Sequence, residues 1–489
     1  MFRKLDKDIE KWANRKNRHP LILRGARQVG KTYLVRALAK RCFKSYLELN
    51  FEQDETLSTL FASKSPDQIC ELLSVKFGLK IVDGETLVFL DEIQAADVCV
   101  LEALRYFYEQ RPSLHVVAAG SLLEFLLDGR ERARRKSDFP MPVGRIEYMF
   151  VPPLDFEEFL MAIGKGGFVE WLGRYELGTD VPQAIHQGLS DALRKYLVVG
   201  GMPAAVSAYV EGGALDAERE QQMIISTYHD DFPKYSRAVR PELLQKAFMQ
   251  LPSMLGRKLI YTHLVEGEKS KDVSAAYNLL RLARVVAKVR NVPANGIPIA
   301  YGADECNFKP LFLDTGLACR VLGLKLVDIL DADDVLLENR GGLCEQFVGQ
   351  HLLFSGEPYE EPSAYCWMRE EPSSTAEVDY VVQCGNEIIP VEVKSGASGR
   401  MKGLQLFLNE KKRDLAVRFN ADVPSFIPDA VAKDPKGREC RYALLSLPLY
   451  MVGQLDRLVR QAFAHRSLRV KPREETRRER RRRLWYTTR

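Results

Sequence analysis

Three continuous apolar runs near the start of the chain read as buried parallel strands, since buried strands stay apolar on both faces instead of alternating. The first, Leu21-Ile22-Leu23 after Pro20, leads into Gly25-Ala26-Arg27-Gln28-Val29-Gly30-Lys31-Thr32. Behind that loop Leu34, Ala37 and Leu38 share one face of a helix expected over 33–40. The second run, Thr86-Leu87-Val88-Phe89-Leu90, ends at Asp91-Glu92, and the third, over 114–119, ends at Gly120-Ser121. Farther on the period changes. Residues 170–211 read as helices broken at Gly200-Gly201-Met202-Pro203, and 242–292 hold three amphipathic helical stretches followed by an extended run from Val285 to Val292 and a Pro/Gly-rich turn. Residues 342–353 have helical spacing, whereas 377–382 and 388–394 read as two strands joined by a Gly385-Asn386 turn.

The glycine-rich segment sits where phosphate chemistry requires it, between a strand and a helix. Gly25 and Gly30 let backbone N–H groups, including those of Gln28 and Val29, turn toward phosphate oxygens; Lys31 reaches the β and γ phosphates and Thr32 offers a hydroxyl to magnesium. A nucleoside triphosphate with Mg2+ is therefore the expected cofactor pair. At the end of the second strand Asp91 is placed to hold the ion through water, and Glu92 to orient and deprotonate the attacking water. Ser121 either senses the γ phosphate or caps a helix over 122–127.

A second constellation lies in the C-terminal half in the order Glu345, Asp379, Glu392, Lys394. Glu345 falls on the helix, Asp379 on the first strand, and Glu392 and Lys394 on one side of the second, because strand side chains alternate. Asp379 and Glu392, with the Val393 carbonyl and with Glu345 through water, are hard oxygen ligands of the kind magnesium takes. Lys394 is then placed to orient or deprotonate water and to offset charge on a phosphodiester. Pro390 fits that strand near its start or on an edge. Gln405, on a helix over 403–409, is a further candidate.

Charge changes the picture only at the end of the chain. The net charge is +5, but residues 466–489 carry eleven Lys or Arg against three Glu, which leaves the rest at −3. Arg480, Arg481, Arg482 and Arg483 next to Trp485 and Tyr486 suit nucleic acid phosphates and bases, or form a solvated end. A second basic run, 130–136, contains Arg135; it and Arg145 are candidates for an arginine supplied to a neighbouring subunit's nucleotide. Nine scattered cysteines without a Cys-x-x-Cys pair argue for reduced thiols, and no apolar run is long enough for a membrane span, so the expected location is the cytoplasm.

Taken with Asp91-Glu92-Ile93-Gln94, Gly144-Arg145 before Pro153-Leu154-Asp155-Phe156-Glu157-Glu158-Phe159, Gly200-Gly201-Met202-Pro203 and Lys309-Pro310-Leu311-Phe312-Leu313-Asp314-Thr315-Gly316-Leu317, the chain resembles the bacterial and archaeal AAA-type ATPases with an uncharacterised, nuclease-like C-terminal half. The C-terminal series is similar to the PD-(D/E)xK nuclease superfamily. The resemblance implies an α/β protein: a P-loop NTPase αβα core (1–165), a helical lid (166–235), a winged-helix-like connector (236–305), a restriction-endonuclease-like α/β domain (306–465) and a basic tail (466–489). It also implies adenine as the base, a role on DNA and a possible homo-oligomer. In a winged helix the helix over 274–282 would meet duplex DNA, with Lys288 and Arg290 on phosphates; such a unit also serves to pack domains together. Asp314 is expected only to cap the helix after it. The C-terminal domain either cuts DNA under nucleotide control or recognises DNA or a protein without cutting.

Overall fold

The computed structural model describes residues 1–120, 124, 144–235, 239–325, 340–369, 376–396 and 401–469. Ser121, Arg135 and Arg480 to Arg483 lie outside them. After α1 (Asp6–Asn14) come β1 (Leu21–Arg24), α2 (Lys31–Cys42), β2 (Ser45–Asn50), α3 (Pro66–Phe77), β3 (Thr86–Asp91), α4 (Val98–Gln110), β4 (His115–Ala119) and β5 (Glu147–Phe150). The five strands form one parallel sheet in the order β2-β3-β4-β1-β5. Alternate residues of its strands enter two separate cores: Leu21, Leu23, Leu87 and Phe89 on one face, Ile22, Val88 and Leu90 on the other. Helices cover both faces, which is why these strands read as unbroken apolar runs.

Helices α5 (Phe156–Ala162), α6 (Gly166–Arg174), α7 (Gln183–Val199), α8 (Pro203–Gly212) and α9 (Ala214–Tyr235) follow. The break between α7 and α8 is fixed by close approach. A Cβ on Gly201 would lie 2.0 Å from the Leu154 carbonyl oxygen, and one on Gly200 2.0 Å from the Asp314 carboxylate. Leu154 N–H donates to Gly201 O at 2.7 Å, and Gly201 N–H donates to Asp314 at 2.6 Å. Asp314 does cap its helix, accepting from Leu317 N–H at 3.0 Å, but it also binds the lid to the C-terminal half.

Next come α10 (Pro241–Gln250), the single turn α11 (Tyr261–Leu264), α12 (Ser270–Leu282) and the antiparallel pair β6 (Val286–Asn291) and β7 (Asp304–Phe312). This pair is not a free-standing wing. After α13 (Thr315–Val321) and α14 (Arg340–Leu353), β8 (Ala364–Met368) pairs in parallel with β6, and β9 (Glu377–Val378) closes a sheet in the order β7-β6-β8-β9. The boundary expected at 305 thus falls inside β7. A second sheet, β10-β11-β12-β14-β13, is built from β10 (Tyr380–Cys384), β11 (Glu387–Val393), β12 (Leu415–Asn420), β13 (Ser425–Lys433) and β14 (Glu439–Pro448), with α15 (Lys402–Lys411) and α16 (Leu455–Arg469). Residues 377–382, expected as one strand, are two: the chain leaves the first sheet and joins the second at Asp379. Pro390 is accommodated because pairing of β11 with β12 begins only at Val391. Among the described residues no helix is long and apolar enough to cross a membrane.

Two histidines are held by packing, His351 between α14 and the start of α5 and the buried His115 inside the N-terminal domain. His351 of α14 donates from Nδ1 to the Phe347 carbonyl at 2.7 Å and accepts the Phe156 N–H on Nε2 at 3.0 Å, an arrangement that requires the neutral ring. Burial lowers its pKa, and burial pushes His115, beside Arg18, down to about 4. An unfolded histidine takes up a proton near pH 6.5, whereas folded His115 resists until about pH 4. Lowering the pH through that window therefore favours unfolding. Calorimetric melting of the native chain and of His115→Gln should show the native chain losing stability relative to the variant from pH 6.5 to 4; parallel profiles would refute the assignment.

Candidate functional site

The phosphate loop joins β1 to α2, and its backbone takes left-handed conformations at Gln28 and Gly30. Gly25 is required by packing, since a Cβ there would sit 2.5 Å from the Val151 carbonyl oxygen. Lys31 is buried at the start of α2 and its ammonium donates to the carbonyls of Gly25 and Ala26 at 2.9 and 2.7 Å. Burial lowers its pKa to about 8, with Glu92 and Asp91 opposing. An ammonium short of countercharge in a loop of turned N–H groups suits a polyanion.

Asp91 ends β3, one strand removed from β1, and accepts the Thr32 hydroxyl at 3.1 Å. Burial, and then Glu92, push its carboxyl up to about 6. Glu92 turns out of the strand at φ 50° and accepts from Gln94 at 2.6 Å. Thr32 and Asp91 are hard oxygen donors brought to one point, and they fit a magnesium ion. Arg145 is half-exposed and held within its own domain, by Glu109 at 3.0 Å and against Tyr108.

Sequence reasoning missed the supports of this loop. Arg3, 3% exposed, donates to the Val29 carbonyl at 2.9 Å and to the Pro152 carbonyl at 2.7 Å, and pairs with Glu158 at 3.3 Å. From the lid, Asp231 pairs with Arg27 and the Tyr228 hydroxyl donates to the Arg27 carbonyl at 2.8 Å. Helix α9 is thus fastened to the phosphate loop itself. The signal available for Arg27 was its place inside the loop, where a cation that does not reach phosphate needs another partner.

The C-terminal residues converge as their order suggests. Val393 N–H donates to Asp379 Oδ2 at 2.8 Å, and the Lys394 ammonium lies 2.5 Å from Glu392. Burial opposes the Lys394 charge, but Glu392 prevails and raises its pKa, so Lys394 stays an ammonium that donates protons. Burial, and then Asp379, push Glu345 and Glu392 above the usual carboxylate range, with Lys309 and Lys394 opposing. One participant was not expected. Lys309 of β7, 2% exposed, places its ammonium 3.2 Å from Asp379 Oδ1, 3.3 Å from Glu345 and 3.5 Å from Glu377. Burial works against that charge, yet the three carboxylates outweigh it and hold the pKa well above its ordinary value.

These residues, as held, do not fit a divalent ion. Both oxygens of Asp379 are engaged, one by Lys309 and one by Val393 N–H, and Glu345 faces Lys309. Glu392 Oε2 alone is buried without a hydrogen-bond partner, and one oxygen does not make a magnesium site. Among the described residues no three His, Cys, Asp or Glu side chains stand together as metal ligands. The sequence did carry a sign of Lys309: a single lysine within the apolar run from Phe308 to Leu313, where burial demands a countercharge.

The remaining candidates are engaged elsewhere. Lys288 and Arg290 both pair with Glu305, at 3.4 and 2.9 Å, across the β6–β7 hairpin. Gln405 faces the Tyr442 hydroxyl at 3.5 Å.

Residues 17–160 match the family described as AAA domain, and 190–328 and 340–424 match two domains of unknown function, DUF8612 and DUF4143. A curated relative, midasin of Giardia intestinalis, is 32% identical over 105 residues; the match spans 20% of this chain and 2% of midasin's length. Among solved structures, a Walker-type ATPase of Pyrococcus abyssi is 16% identical with a TM-score of 0.41, covering 65% of this chain and 94% of its own. A signal transduction ATPase with numerous domains and a tetratricopeptide repeat sensor, from Pyrococcus horikoshii, is 12% identical with a TM-score of 0.24, covering 73% of this chain and 46% of its own. Residues 17–160, which hold the phosphate loop, the parallel sheet and the Asp91-Glu92 pair, are thus similar to the AAA domain family, and the match supports a P-loop ATPase core.

Proposed function

We propose that the chain is an ATP-hydrolysing switch that acts on DNA through its C-terminal half. The observation that carries this reading is the meeting of Lys31, Thr32, Asp91 and Glu92 in one crevice whose loop is gripped by lid helix α9 through Arg27 and Asp231. Lys31 binds the β and γ phosphates, Thr32 and Asp91 hold the magnesium, and Glu92 orients the attacking water and accepts its proton. The ion supplies neutralisation of the phosphate charge that builds in the transition state. Because Arg27 belongs both to the loop and to the lid contact, filling the loop alters what α9 holds.

DNA as partner is supported by the concentration of positive charge in residues 466–489 and by the helix succession before β6. Cleavage gated by nucleotide is the second reading. The convergence of Asp379, Glu392 and Lys394 favours it, and Lys309 among the carboxylates favours recognition without cutting.

The test uses purified protein with linear, nicked, branched and single-stranded DNA, magnesium or manganese, with and without ATP, beside Asp379→Ala. ATP turnover with DNA retained intact is expected. Cutting by the native chain and not by Asp379→Ala would install the second reading. DNA binding is expected to weaken when the chain ends at 465 and to fall with salt; no binding at low salt would remove DNA from the function.

A further inference from the structure

Four carboxylates and two lysines meet where β7, α14, β9 and β11 come together: Glu345, Glu377, Asp379, Glu392, Lys309 and Lys394. Lys394 follows the last residue of β11 and pairs with Glu392 of that strand. Lys309 comes from a different sheet and makes its contacts with three acidic residues from two other elements and the turn between strands. A cation bridging carboxylates contributed by several elements is the arrangement a divalent metal has in an oxygen-ligand site. Here the cation is covalently part of the chain.

The surroundings keep it there. Lys309 lies in the buried half of β7, and the Phe308 carbonyl beside it accepts the Leu259 N–H at 3.0 Å. Gly256, in the segment between α10 and α11, lies over Glu345, where an added Cβ would be 3.1 Å from both carboxylate oxygens. A backbone layer thus covers the cluster on the side of Glu345.

We propose that Lys309 is the resident cation of this carboxylate site, standing in the place of a divalent metal and excluding one from it. The proposal rests on reading the C-terminal domain as nuclease-like, and it makes that domain a metal-free module in the state described. A metal would have to displace an ammonium already held by three carboxylates. Its own gain would be the unpartnered Glu392 Oε2 and whatever oxygens Lys309 released.

Manganese binding to the full-length chain, followed by electron paramagnetic resonance without nucleotide or DNA, tests this. The native chain and Asp379→Asn should give the same isotherm, with no ion lost on removing Asp379. Lys309→Met, which keeps the length of the stem and removes the charge, should bind one further ion at least tenfold more tightly, and that gain should vanish in Lys309→Met/Asp379→Asn. A native chain that binds an ion lost in Asp379→Asn overturns the proposal, and this comparison holds even if Lys309→Met does not fold. A folded Lys309→Met without the extra ion overturns it as well. Neither result bears on ATP turnover or DNA retention, which are read separately, so failure here is distinguishable from failure of the switch reading.

Discussion

Replacing Lys31 with alanine will abolish ATP binding, and replacing Glu92 with glutamine will leave binding intact while stopping turnover. The two effects differ because the residues act at different stages. Lys31 is a buried ammonium whose hydrogen-bond acceptors among the described residues are two neutral carbonyls, those of Gly25 and Ala26. Its attraction for the triphosphate is spent on binding as well as on the transition state. In the proposed mechanism Glu92, one residue past Asp91, acts on the attacking water and its proton and not on the bound triphosphate. Glu92→Gln keeps the shape and the contact with Gln94 but cannot take a proton. A loss of roughly 10²–10⁴-fold in kcat is expected, the range of general-base catalysis. Steady-state turnover with fluorescent-nucleotide binding separates the cases; a Glu92→Gln enzyme that still turns over at native rate would remove Glu92 as the base.

Asp314→Ala will lower the melting temperature of the chain and loosen the lid from the C-terminal half. Asp314 is fully buried and accepts N–H groups from both Gly201 and Leu317. Burial pushes its carboxyl up to about 6, against the pull of those N–H groups. Removing the carboxyl strands both donors in the interior, at about 1–3 kcal/mol each. A total near 3 kcal/mol corresponds to a fall of roughly 6–12 °C in a unit of 150–250 residues. Asp314→Asn retains one acceptor and should lose less. An unchanged melting temperature for the alanine variant would show that the Gly200-Gly201 turn is held by the rest of its packing.

The phosphate-binding half was legible because its determinants are local. Gly25 to Thr32, the unbroken apolar strands and Asp91-Glu92 are each set by neighbours in sequence, and the apolar runs match a sheet buried on both faces. The helix and strand periods around Glu345, Asp379, Glu392 and Lys394 were legible too, but not how their side chains are held. What sequence did not convey is long-range pairing. Asp379 reads as mid-strand, yet it marks a change of sheet that depends on β8. Lys288 and Arg290 read as available cations, yet Glu305 lies opposite them once the hairpin closes. Lys309 and Arg3 acquire meaning only through partners 36 and 155 residues away in sequence. Pair contacts of this kind leave no periodic trace.

The sharing of β7 has a consequence for chain fusions. A strand that pairs with β6 along its length and from its middle sends Lys309 to Asp379 cannot be dealt out to one domain or the other. A gene fusion or truncation joined at 305 would strip β6 of its partner and expose a sheet edge able to pair with other chains. Chimaeras that keep β6 and β7 together, with their junctions before α10, should therefore stay soluble where a junction at 305 does not.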